Sequence, residues 1–177
     1  MSHQTGTFQP RILTPVATKG KTTLGWFFGF KLHIIINDKG EIISFVVIQG
    51  NVDDRHPLSM ESFISKVSGK LYADRGYVSQ KLVEILFVDG IHFVAKMRNN
   101  MKVAELPLQD RVMLRKRAVI ESVNDELKNI CQIELTRHRC FTNFITNLIA
   151  GLLAYSFLPK KPSIRVDFVD DKQLMLF

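Results

Sequence analysis

The sequence predicts a mixed-sheet α/β domain. Three observations carry that prediction: an apolar hairpin over residues 26–48, a strand–helix–strand unit over residues 70–95, and two C-terminal stretches of helical periodicity. At 177 residues, with 46% hydrophobic and 23% charged side chains, the chain is the size of one globular domain with a short tail.

Taken in order, residues 1–20 carry Pro10 and Pro15 and no sustained periodicity, which predicts a loose leader. Residues 26–36 (WFFGFKLHIII) and 42–48 (IISFVVI) are aromatic and β-branched. Between them Asn37-Asp38-Lys39-Gly40 is a turn tetrapeptide, so the pair reads as a hairpin. Both strands are apolar at nearly every position, and such strands belong in a sheet covered on at least one face. After Asp53-Asp54-Arg55-His56-Pro57 the pattern predicts a helix over 58–67 and a short strand over 70–73. Ser79 can cap a helix bearing Leu82, Ile85 and Leu86, stopped at Asp89-Gly90. Residues 91–95 form the next strand, and the order predicts a parallel pair joined by a crossover. A basic, turn-rich segment (96–110) leads to a long helix over 111–130. An apolar helix over 143–157 is ended by Pro159 and Pro162.

Composition narrows the function classes. The 24 Lys and Arg outnumber the 17 Asp and Glu, giving a formal charge of +7. That surplus favours an acidic partner, nucleic acid first and anionic membrane second. The longest apolar stretch, residues 144–158, is shorter than the roughly 20 residues a membrane-spanning helix needs. No signal-peptide core precedes it, so a soluble cytoplasmic protein is expected. Cys131 and Cys140 make neither a disulfide framework nor a zinc pattern. The chain has no P-loop, no GxGxxG and no Ser/His/Asp arrangement, and its five histidines do not cluster. His138, in Thr136-Arg137-His138-Arg139, sits in a basic patch that suits either phosphate or solvent.

Two carboxylates stand out. Asp74 follows the 70–73 strand and precedes Gly76; beyond the carboxyl end of a strand it is placed either to hold a metal or substrate, or to cap the turn. On the long helix, at about 100° per residue, Val112, Val119, Val123, Leu127 and Ile130 share the arc opposite Glu121. Arg117, Asn124, Asp125 and Lys128 share the Glu121 side. That ridge is either a solvated face with i,i+4 pairing or a carboxylate flanked by phosphate-binding cations.

Read together, the segment from Trp26 to Leu58, then GKLYADRGY, RKRAVIESVNDELKN and TRHRCFTNFITNLIAGLLAY, resemble the DDE transposases of bacterial insertion sequences, and most nearly insertion-sequence family nine-eight-two. The resemblance runs from about Lys19 to Pro162. It implies a ribonuclease-H-like fold, a five-stranded mixed sheet with helices on both sides. It also implies two Asp and one Glu holding two divalent ions, Mg²⁺ or Mn²⁺, for cleavage and transfer of DNA strands. Asp74 matches the second Asp and Glu121 the Glu, which makes both catalytic residues and metal ligands. In related transposases the Glu helix carries Tyr-(2)-Arg-(3)-Glu-(6)-Lys. Here it reads Leu114-(2)-Arg117-(3)-Glu121-(6)-Lys128, and the resemblance gives Arg117 and Lys128 the contacts to DNA. Gly50-Asn51-x-Asp53 matches a further family motif, read as local structure.

The chain departs from the family at its start. The first catalytic Asp belongs on the first strand, yet residues 1–37 contain no Asp or Glu, and Asp38 lies in the hairpin turn. Prolines 10 and 15 also oppose a central strand there. The expectation is therefore the C-terminal part of a transposase lacking the first strand. Its divisions are a non-aligning leader at 1–20, a partial catalytic domain at 21–160 and a tail at 161–177. The isolated chain is expected to be inactive, with insertion-sequence ends and target DNA as partners and a homo-oligomer as an option. The alternative is a non-catalytic DNA-binding remnant, or an inhibitor of full-length transposase. A third reading uses Asp53 or Asp54 as the missing ligand of another ribonuclease-H-like nuclease.

Overall fold

A computed structural model of the chain describes residues 16–22, 25–95, 106–135 and 140–164. Three antiparallel strands, β1 (Thr18–Thr22), β2 (Gly25–Ile36) and β3 (Ile42–Gln49), form one sheet in the order β1-β2-β3. A second sheet pairs β4 (Gly69–Ala73) with β5 (Ile91–Ala95) in parallel, from Gly69 opposite Ile91 to Ala73 opposite Ala95. Between β3 and β4 lie a 3₁₀ turn (His56–Ser59) and the short helix α1 (Glu61–Ile64), and α2 (Gln80–Val88) connects β4 to β5. Helices α3 (Leu108–Lys116), α4 (Val119–Asn129) and α5 (Phe141–Ser156) complete the order.

Strand β2 explains why its sequence is apolar throughout. Successive side chains of a strand point to opposite faces. Leu32 packs into one cluster with Val123, Leu127, Leu148, Leu152 and Tyr155 of α4 and α5. Ile35 packs into another with Leu58, Phe63, Leu82, Leu86 and Ile91 from the 3₁₀ turn, α1, α2 and β5. The sheet is thus covered on both faces. The ladder pairs Ile35 with Ser44 but Ile36 with Ile42, so Ile43 is an extra residue. This bulge returns Ile42 to the α4–α5 side, where it packs, and leaves Ile43 on the α1–α2 side. The hairpin closes as the sequence predicts. Gly40 takes φ +74°, its carbonyl accepts a 2.7 Å bond from the Tyr155 hydroxyl, and Asn37 Oδ1 accepts the Lys39 and Glu41 amides.

Several expectations are revised. The segment read as a leader up to residue 20 is folded at its end. Thr18–Thr22 pairs with Gly25–Gly29, and Ala17 is buried with Phe30 and Phe144. The helix expected over 58–67 is interrupted at Met60, whose backbone is extended (φ −91°, ψ 114°) between the 3₁₀ turn and α1. The helix expected over 111–130 is two helices. At Arg117 and Ala118 the backbone tightens, with Ile120 N–H bonding to Arg117 C=O and Glu121 N–H to Ala118 C=O. Such i to i+3 bonds turn the chain further per residue than an α-helix, so α4 is rotated about its axis relative to a continuous helix. Accordingly Val123 and Leu127 are buried as expected, but Asn124 is buried with them, whereas Ile130 is 59% exposed. Ile85 of α2 is likewise on the surface.

Instead of the five-stranded sheet that the resemblance implies, the described strands form two sheets, β1-β2-β3 and β4-β5. Side-chain packing joins them, since Leu71, Ile91 and Phe93 share the Ile35 cluster. The architecture is mixed α/β, compatible with a ribonuclease-H-like domain.

The rotated face of α4 is tested by truncation. Leu127→Ala should cost about 2–5 kcal/mol of unfolding free energy in urea titrations. Ile130→Ala should stay within about 0.5 kcal/mol. Equal losses would contradict the placement.

Candidate active site

Strand β4 ends at Ala73, and Asp74, just beyond it, keeps an extended backbone (φ −75°, ψ 157°). Its carboxylate accepts the Arg75 amide at 2.7 Å and so caps the 3₁₀ turn Arg75–Tyr77. The turn is pinned to the first sheet, because Tyr77 Oη lies 3.1 Å from His33 Nδ1 on β2. Burial pushes the Tyr77 phenol above its usual range, and the nearby charges of Asp54 and Asp74 add to that. A neutral phenol thus lies within electrostatic reach of two carboxylates.

Asp74 remains half exposed and meets a cation from a distant part of the chain. Arg117 Nη2 lies 3.2 Å from Asp74 Oδ1. The approach depends on α3. Asp110, in its first turn, is 5% exposed. It accepts bonds from Lys70 Nζ (2.8 and 3.1 Å) and Tyr72 Oη (2.8 Å), both on β4. Burial alone would raise the Asp110 carboxyl; the Lys70 ammonium and Tyr72 hydroxyl outweigh it and hold the group below its ordinary range. In return burial, with the Asp110 bond and charge adding, pushes Tyr72 up to about 12. The sequence gives little warning of this cluster, since one Asp in a charged helical turn reads as a surface residue.

Glu121 is exposed in the first turn of α4, one turn beyond Arg117. Lys128, toward the end of that helix, pairs with Glu134 at 2.9 Å. Of the four residues singled out by sequence, the structure therefore joins Asp74 to Arg117. It leaves Glu121 open to solvent and gives Lys128 a local partner. The basic patch at His138 lies outside the described residues.

The donor set does not match a two-ion site. Two hard divalent ions need several shared carboxylate oxygens. Among the described residues no three His, Cys, Asp or Glu side chains gather at metal-binding spacing. Asp74 is engaged by Arg117, and the sequence before Asp38 contributes no acid.

Beside Asp74 a cavity of about 770 Å³ opens between β1, the segment after β3, and the Arg75–Tyr77 turn. The Gly50-Asn51-x-Asp53 motif builds its floor. A Cβ on Gly50 would lie 2.9 Å from the Thr18 carbonyl, so only glycine lets β1 approach. Asn51 Oδ1 accepts from Thr18 Oγ1 at 2.8 Å. The Arg55 guanidinium and amide bind Asp53 and hold its carboxyl well below the usual carboxylate range. Lys31 pairs with Asp54 at 2.8 Å. The motif is thus occupied with local structure, and both acids offered as a substitute ligand already face cations.

The comparisons with known proteins agree with the sequence reading at the family level. The model of the transposase DDE domain matches residues 1–141, a span that includes residues 1–20 and ends where α5 begins. No curated protein and no solved structure matches the chain. The chain belongs to the transposase DDE domain family. Among the described residues no helix is long and apolar enough to cross a membrane.

The Asp110 cluster has a pH signature. A phenol whose folded pKa is raised contributes stability below pH 10, and loses it as pH rises from 10 through about 12. Over that interval Tyr72→Phe should lose less unfolding free energy than the unaltered protein. Equal slopes in urea titrations at stepped pH would show that Tyr72 ionises as freely folded as unfolded.

Proposed function

Starting from that membership, we propose that the protein acts on DNA as a transposase of a bacterial insertion sequence, most nearly of family nine-eight-two. Asp74 and Glu121 supply two of the three catalytic carboxylates, and Arg117 and Lys128 are cations for DNA phosphates. The observation that carries the reading is the Arg117–Asp74 pair. Two residues that the resemblance assigns to one site, from opposite halves of the chain, meet at 3.2 Å beyond the end of β4. An Arg beside a metal-binding carboxylate has a chemical use, because it can exchange that carboxylate for an incoming phosphate, which its fork can bind bidentately. Lys128 would make the same exchange from Glu134.

Strand cleavage in this family is chemistry that divalent ions supply when bound. What this chain's residues contribute is narrower. The Asp110 cluster fixes α3, the tightened turn presents Glu121, and Arg117 offsets the charge at Asp74 until phosphate arrives. With no acid among residues 1–37 and no three-acid cluster in the described structure, the isolated chain binds DNA without cutting it. That observation favours a second reading, in which the protein is a DNA-binding remnant or restrains an intact transposase by mixing with it.

Two measurements test the proposal. Binding to duplex DNA should weaken linearly in log–log terms with added salt, and Arg117→Ala and Lys128→Ala should each reduce the slope by about 0.9. With Mg²⁺ or Mn²⁺ present, DNA carrying candidate terminal repeats should remain uncut. Robust cleavage that Asp74→Ala abolishes would overturn the claim of a half-built site. Absence of any salt-dependent DNA binding would overturn the reading as a whole.

A further inference from the structure

The cavity beside Asp74 is lined by more positive than negative charge, and by the chain's single tryptophan. Trp26 is 64% exposed although it sits in a strand. Its partner across the ladder is Lys21, and Lys19 projects from the same side of β1. The two ammoniums lie 5.4 and 4.6 Å from the ring centroid. Of the five basic residues that line the cavity, Lys31 and Arg55 are neutralised by Asp54 and Asp53. Lys19, Lys21 and Arg75 form no ion pair among the described residues. The indole holds the Lys19 and Lys21 ammoniums by cation–π contact, and with neither ion-paired among the described residues the exposed ring stands in a strongly positive surface.

We propose that this groove takes an unpaired nucleotide of a DNA strand, its base stacked on Trp26 and its flanking phosphates held by Lys19, Lys21 and Arg75. The inference rests on the DNA reading above and adds to it a subsite and a strand state. Inside a duplex each base face is covered by its neighbours, so an indole can receive only a base that has left the stack. The volume is that of a small-ligand pocket, suited to a nucleotide and not to a length of double helix. Stacking is open to every base because each has a π face, so the subsite reads strand state more than sequence. Arg75 and Gly76 line the groove and directly follow Asp74, so the unpaired nucleotide would lie next to that carboxylate.

The single tryptophan makes the test direct, because all indole emission comes from this position. The full chain would be titrated with single-stranded oligothymidylate, with an abasic strand of the same length, and with a blunt duplex, following tryptophan emission and the anisotropy of labelled DNA. Oligothymidylate should quench Trp26 and bind, whereas the abasic strand and the duplex should bind without quenching. Trp26→Ala should weaken oligothymidylate binding by about 5- to 100-fold. It should leave abasic-strand binding unchanged, which also shows that the variant is folded, and Trp26→Phe should restore most of the loss. If oligothymidylate binds without quenching and equally well to Trp26→Ala, the stacking subsite is refuted while the DNA reading stands. If no strand of any kind binds, both fail.

Discussion

The laying of α3 along β4 is the constraint on which the rest of the site depends. Two contacts fasten the helix to the strand. Asp110 binds Lys70 and Tyr72 on β4, and Arg117 binds Asp74 beyond its end. From residue 70 to 74 a strand advances about 13 Å. From residue 110 to 117 a helix advances about 10 Å. The two lengths nearly agree, and the long arginine side chain covers the difference. Moving either anchor by one residue would break the match. A carboxylate as buried as Asp110 is costly unless paired, so the first contact is strongly specified. The second is then set by geometry.

This arrangement sets the character of the surface around Asp74. The chain tightens at Arg117–Ala118, immediately where the helix reaches Asp74, and α4 then turns Val123, Asn124 and Leu127 inward, leaving Glu121 outside. Asp74 is held from behind by the Arg75 amide and in front by Arg117. The result is a carboxylate paired with an arginine beside a cationic groove. Membership of the transposase DDE domain family, with no three acids gathered among the described residues, underlies the proposed behaviour.

Much of this is legible in the sequence. Alternating aromatic and β-branched runs around Asn37-Asp38-Lys39-Gly40 can only be a hairpin, and residues 91–95 coincide with β5 because a short apolar run between Gly90 and a basic segment leaves no other element. Motif alone marks Asp74 and Arg117. The features that sequence does not reveal depend on long-range pairing. Met60 and the Arg117–Ala118 turn break helices whose periodicity is continuous, because the chain must change direction to pack and side-chain pattern does not encode axis direction. Residues 16–22 look featureless alone. Thr18–Thr22 among them becomes a strand because Gly50 admits it against β2 and Ala17 packs with Phe30. Asp110 is invisible in the sequence because its burial is a property of Lys70 and Tyr72, about forty positions away.

The central claim, that two carboxylates and an arginine are arranged here as an incomplete metal site, is tested most directly by equilibrium Mn²⁺ binding measured by calorimetry on the full chain. No stoichiometric binding of two ions is expected, because Arg117 pairs with Asp74 and, among the described residues, no third acid joins Asp74 and Glu121. Binding of two Mn²⁺ per chain, lost in both Asp74→Asn and Glu121→Gln, would contradict it.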